Sequence, residues 1–97
     1  MASSKGYRDY VLEQLGELED VSYKPMMGEF LLYYKGVLFG GVYDDRLLVK
    51  KVPTNSNFDM EEAIPYDGAK PMYLVDAIDD QEVLKEIVLS TVNGLKK

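Results

Sequence analysis

The side chains able to do chemistry in this chain are carboxylates, tyrosines and lysines, because its 97 residues include no histidine and no cysteine. Those absences exclude imidazole acid–base catalysis, a Ser-His-Asp triad, a cysteine nucleophile, disulfides and any zinc centre built on His or Cys. The carboxylates form two groups, Asp76, Asp79, Asp80 and Glu82 in one and Asp59, Glu61 and Glu62 in the other. Carboxylate oxygens suit Ca²⁺ or Mg²⁺, but neither group has the Asp-x-Asp-x-Asp-Gly order of a calcium loop. Asp79 and Asp80 stand where a helix cap is expected. Gly40-Gly41 is the only glycine pair. A phosphate loop needs its glycines to open a helix, whereas these lie inside a strand-like run and read as a point of close packing. The eight tyrosines read as core or interface, since base stacking needs basic residues interleaved with the rings. The sequence therefore assigns no catalytic residue, no cofactor and no metal site, and a non-enzymatic protein is expected.

The bulk numbers agree with one small domain spanning 1–97. Eleven Lys+Arg against seventeen Asp+Glu give a net charge of −6, and 46% of residues are hydrophobic. An acidic chain lacks the concentrated positive field that binds phosphates, so no direct nucleic-acid partner is expected. The longest clear apolar run, Val37 to Tyr43, falls far short of the ~20 residues of a membrane span. The first ten residues lack the apolar segment of a signal peptide. A soluble, cytoplasmic protein is the expectation.

The elements that must position these residues follow from periodicity. Tyr7, Val11, Leu15 and Leu18 make one apolar stripe, which predicts a helix over 4–18 capped by Ser3 or Ser4. Gly16 weakens it, so fraying is expected there. Val83, Leu84, Ile87, Val88, Thr91, Val92 and Leu95 predict a last helix, capped by Asp79 or Asp80 and stopped near Gly94, with Lys96-Lys97 complementing its dipole. Between them the period is two. Strands are predicted over 21–27, 29–35, 37–43, 46–52 and 72–76. Tight turns fall at Lys35-Gly36 and Asp44-Asp45, and Pro25 pushes the first strand to an edge or a bulge. Met26-Met27-Gly28-Glu29 reads as a corner, with Glu29 open to a salt bridge with Lys24 or Lys51. Residues 53–57 read as loop and 58–63 as one short helical turn capped by Asn57. The fold class is α+β, an antiparallel sheet of about five strands flanked by N- and C-terminal helices.

Two-residue turns place Tyr34 opposite Val37 and Tyr43 opposite Arg46. Strict alternation then puts Leu31, Tyr33, Leu38, Gly40, Val42, Leu47 and Val49 on one face. Phe30, Leu32, Tyr34, Val37, Phe39, Tyr43 and Leu48 fall on the other. Both faces are apolar, whereas a half-solvated sheet alternates apolar and polar. Either a partner covers the second face, most simply a second copy of the chain, or the helices and the 53–71 segment cover both. The residues expected at such an interface are Phe30, Leu32, Tyr34, Phe39, Tyr43 and Leu48. A second reading is a small-ligand pocket between sheet and helices near 26–29.

Several short motifs carry a family resemblance. Met26-Met27-Gly28, then Gly36, Val37 and Phe39, then Leu47, Val49 and Lys50 occur in the order and spacing of the TfoX/Sxy N-terminal domain family. Val49 stands in place of a Leu. Residues 66–72, Tyr-Asp-Gly-Ala-Lys-Pro-Met, are similar to that family's turn into its last strand. The resemblance covers essentially the whole chain. It implies an α+β domain in a non-enzymatic, bacterial, cytoplasmic context, and no catalytic residues. Longer relatives act as positive regulators of DNA-uptake genes together with a cyclic-AMP receptor activator, and carry a second, C-terminal helical domain. This chain stops after its last predicted helix, so a stand-alone version of the domain, working on itself or another protein, is expected.

Overall fold

The structure, a computed structural model, describes residues 4–76 and 78–95. Helix α1 spans Lys5–Gln14. Strands follow as β1 Val21–Met26, β2 Glu29–Tyr34, β3 Val37–Val42 and β4 Leu47–Val49. A 3-10 turn covers Pro53–Phe58, β5 covers Glu61–Ala63 and β6 Met72–Leu74, and helix α2 runs over Gln81–Leu95. The strands form one antiparallel sheet of order β1-β2-β3-β4-β6-β5.

Local chemistry explains the ends of these elements. The Ser4 hydroxyl accepts from the Tyr7 amide at 3.1 Å and caps α1, while the Ser4 amide donates to Asp45 Oδ1 at 2.8 Å and ties the helix to the β3–β4 turn. The helix stops at Gln14, before Gly16, so Leu15 and Leu18 continue its buried stripe from a turn. Asp80, not Asp79, caps α2, its carboxylate accepting from the Val83 amide at 3.2 Å. Lys96 and Lys97 lie outside the described residues.

The two hairpin turns form as the spacing predicts. Tyr34 pairs with Val37, and Tyr43 and Arg46 exchange backbone hydrogen bonds of 2.9 and 3.0 Å. The corner at Met27-Gly28 is a third such turn. Both its residues have positive φ, as do Lys35-Gly36 and Asp44-Asp45, the backbone that matches strand twist in two-residue hairpins. Pro25 sits on β1, an edge strand, where its missing amide costs no ladder bond.

Strict alternation fails once, inside β3. Leu32 pairs with Gly40 and Tyr33 with Leu38, which leaves Phe39 as an extra residue. A bulge of one residue exchanges the faces of everything after it. Val42, Leu47 and Val49 therefore join Phe30, Leu32 and Phe39 in the core, together with Val11 and Leu15 of the α1 stripe and Leu84, Ile87, Val88 and Val92 of α2. Both helices cover this one face. Tyr43 and Leu48 go to the opposite face.

Residues 53–63 differ from expectation. Pro53 opens the 3-10 turn, Asp59 ends it in the left-handed region, and β5 follows where a helical turn was predicted. Asn55, fully buried, organises this stretch. Its Nδ2 donates to the Lys50 carbonyl and to Thr91 Oγ1, each at 2.8 Å, and its Oδ1 accepts from the Val52 amide at 3.2 Å. The Thr54 hydroxyl donates to the Ser90 carbonyl at 2.6 Å. Helix α2 is described to Leu95, and Gly94 in its last turn is also a contact point. A Cβ there would meet Val52 Cβ at 2.8 Å and the Thr54 hydroxyl.

Replacing Asn55 with Leu removes these bonds and leaves buried backbone groups unpaired, at about 1–3 kcal/mol each. We expect the unfolding free energy to fall by about 3 kcal/mol, read as a lower urea midpoint at unchanged slope. An unchanged midpoint would show that the stretch does not depend on this side chain.

Candidate functional site

The sheet face opposite the helices is only partly covered. Its cover is the segment 64–71 between β5 and β6. Within it Pro65 is buried, and the Tyr66 ring lies 6.2 Å from that of Tyr43. Arg46 holds the segment in place, its Nη2 donating to the Ile64 carbonyl at 3.1 Å and its Nε to the Tyr43 carbonyl at 3.2 Å. Between segment and sheet a cleft of about 770 Å³ remains. Leu31, Leu38, Met26 and Met72 supply apolar lining, Tyr43 and Tyr66 aromatic lining, and Lys50, Lys51 and Lys70 the charge.

The glycine pair shapes this face by absence. A Cβ on Gly41 would stand 2.9 Å from the Tyr43 ring and 2.6 Å from the Phe30 carbonyl, and one on Gly40 would strike the β4 backbone at Leu48. The pair is a packing device, as its strand context indicates.

The lysines differ. Lys51 Nζ is 2.8 Å from Glu62 Oε2, and that hydrogen bond raises its pKa above the usual lysine value. Lys51 is thus engaged across the sheet edge by Glu62 and not by Glu29, whose carboxylate accepts from the Asp44 amide at 3.2 Å. Lys50 and Lys70 form no ion pair among the described residues. Burial raises the Tyr43 phenol pKa, and the nearby Tyr66 and Glu29 add to the effect.

The six residues expected at an interface do not form one surface. Phe30, Leu32 and Phe39 are buried in the core beneath the helices, and Tyr34 packs half-buried against that core. Tyr43 and Leu48 lie on the other face and are buried there. The expected single surface is corrected accordingly: both helices cover the four residues on their face, and the β3 bulge sends Tyr43 and Leu48 to the other. The pocket near 26–29 is also displaced. Met26 lines the cleft, but the cleft lies on the side away from the helices. Of the motif residues, Met27 stands at a hairpin tip with 96% of its surface exposed. Gly28 and Gly36 serve turns, Val37 packs on the core and Phe39 fills it. Lys50, Lys70 and Tyr66 were not singled out as site residues from the sequence. In the sequence they occur only as members of the family-like motifs, Lys50 at the end of the third and Tyr66 and Lys70 within residues 66–72.

The family model for the TfoX N-terminal domain matches residues 13–93. The chain belongs to the TfoX N-terminal domain family. It is also similar to a Spirochaeta aurantia protein described as an uncharacterized 12.7 kDa protein in the trpE 5′ region. The two are 30% identical over 83 residues, which cover 84% of this chain and 72% of that relative. The match begins inside α1 and ends inside α2, so the sheet, the bulge and the cleft all fall within the family's domain. Among the described residues no helix is long and apolar enough to cross a membrane.

Two outcomes test this geometry. Neighbouring residues Leu38 and Phe39 face opposite sides, so Phe39→Glu should abolish the cooperative unfolding transition while Leu38→Glu keeps the helical circular dichroism. Equal loss in both variants would contradict the bulge. For Tyr43, a raised folded-state pKa means the unfolded chain loses this proton first as pH rises through the ordinary phenol value of about 10. The stabilisation is complete below that pH and is lost above it. Tyr43→Phe should therefore flatten the fall in melting temperature between about pH 9.5 and 11, a window that opens just below that phenol value and extends above it, relative to the parent chain. An identical fall would refute it.

Proposed function

We propose that this chain is a non-catalytic regulatory module that works by binding, and that the sheet face opposite its helices is the working surface. The single observation that carries the reading is that face. It is apolar, partly open and cleft, in a domain whose helices both pack on the other side. Membership of the TfoX N-terminal domain family supports a role like that of the competence regulators, in a bacterial cytoplasm. The relative from Spirochaeta aurantia supports the bacterial setting. The net charge of −6 supports action through another molecule and not through direct contact with DNA.

The test is transcript profiling of cells lacking the protein, complemented with the parent chain or with Leu38→Glu. A working outer face predicts that Leu38→Glu accumulates normally and yet reproduces the profile of the deletion. Complementation equal to the parent chain would overturn the reading.

A further inference from the structure

The charge around the cleft runs against the charge of the chain. Acidic residues outnumber basic ones, 17 to 11, yet the cleft lining holds three lysines and no Asp or Glu. One of the three, Lys51, is already paired with Glu62. Lys50 and Lys70 come from different parts of the chain, one leaving β4 and the other in the covering segment, and both line the same cavity. Neither has an acidic partner among the described residues. The floor beneath them, Leu31, Leu38 and Met72, is apolar. A volume of about 770 Å³ is that of a small-molecule site, with an apolar body and few convergent polar groups.

We propose that the cleft binds a small amphipathic organic anion. Its apolar body rests on Leu31, Leu38 and Met72, and its carboxylate or phosphate head meets Lys50 and Lys70. The inference rests on the binding-module reading and names the ligand class of that surface. A second copy of the chain suits the cleft less well. It brings a further net −6 toward a molecule of the same charge, and the segment 64–71 makes the face concave where a flat partner needs it open. A nucleic acid needs a track of basic residues, and two unpaired lysines do not make one.

The test uses two dyes that share one arylamine body, anilinonaphthalene sulfonate, which carries an anionic head, and N-phenyl-1-naphthylamine, which does not. Fluorescence titrations are run on the parent chain, on the double variant Lys50→Met/Lys70→Met and on Leu38→Glu, each first checked for a cooperative melting transition. We expect the sulfonate to bind the parent chain and to lose at least about tenfold in affinity in the double variant, the size of a lost charge-assisted contact. The neutral dye should bind both alike, and Leu38→Glu should weaken both dyes. Displacement of the sulfonate by octanoate assigns a carboxylate head, and displacement by octyl phosphate a phosphate head. Displacement by neither overturns the proposal. So does equal binding of the two dyes, or a double variant that keeps its sulfonate affinity. Light scattering on the same samples covers the remaining occupant, because a dimer that Leu38→Glu dissociates would put a second copy on this face and overturn the small-anion proposal. Absence of binding by either dye, while Leu38→Glu still reproduces the deletion profile in cells, would sink the ligand class alone and leave the working face standing.

Discussion

The extra residue at Phe39 is the constraint on which the rest of the structure depends. Side chains alternate along a strand with period two, so an offset of one residue reassigns every position beyond it. Without the offset, Val42, Leu47 and Val49 would share a face with Leu38, and Tyr43 and Leu48 would meet the helices. With it, small branched side chains meet α2 and the large ring of Tyr43 is sent outward, over a strand kept bare at Gly41. The bulge is held from both sides. Leu32 and Tyr33 pair on either side of the gap, and the Phe39 carbonyl accepts from the Lys50 amide at 2.9 Å. Bulges occur where a sheet must re-aim side chains, and here one bulge separates the core from the cleft.

A second lock acts at the other end of β4. Asn55 holds the Lys50 carbonyl and the Thr91 hydroxyl at once, so the point at which the chain leaves the sheet is pinned to α2. The Thr91 hydroxyl in turn donates to the Ile87 carbonyl at 2.8 Å, which completes the buried chain. A buried amide satisfied at both ends rigidifies its surroundings, whereas an unsatisfied one is costly. Gly94 lets the Val52–Thr54 stretch approach the helix closely enough for these bonds to form. The lock therefore sets the position of Lys50 at the cleft as well as the angle of the last helix.

The legible parts of this fold were those whose signal is local. The α2 stripe, the positive-φ turns and the edge placement of Pro25 each follow from one residue type in one context. The bulge was not legible because alternation in residues 37–43 is nearly uniform in hydrophobicity, so no polar residue marks the slip. The interface expected at Phe30, Leu32, Tyr34, Phe39, Tyr43 and Leu48 fails in two ways: the bulge removes Tyr43 and Leu48 from that face, and the helices cover the other four. Strand β5 was hidden for another reason. Glu61 and Glu62 are exposed on an edge, and a strand made by pairing alone leaves no hydrophobic pattern. The cleft lies between a strand and a loop far apart in sequence, and its lysines meet only through topology.

The two walls of the cleft are built differently, and this bears on what the site can do. One wall is the ladder of β2, β3 and β4, whose hydrogen bonds open only with the core. The other is the segment 64–71, suspended from Arg46 by the Ile64 carbonyl, from the Tyr43–Tyr66 contact and from buried Pro65. Exposed segments of this kind open locally at a fraction of the global free energy. Lys70 belongs to the segment wall and Lys50 to the sheet wall. A group that satisfies both lysines therefore bridges the two walls.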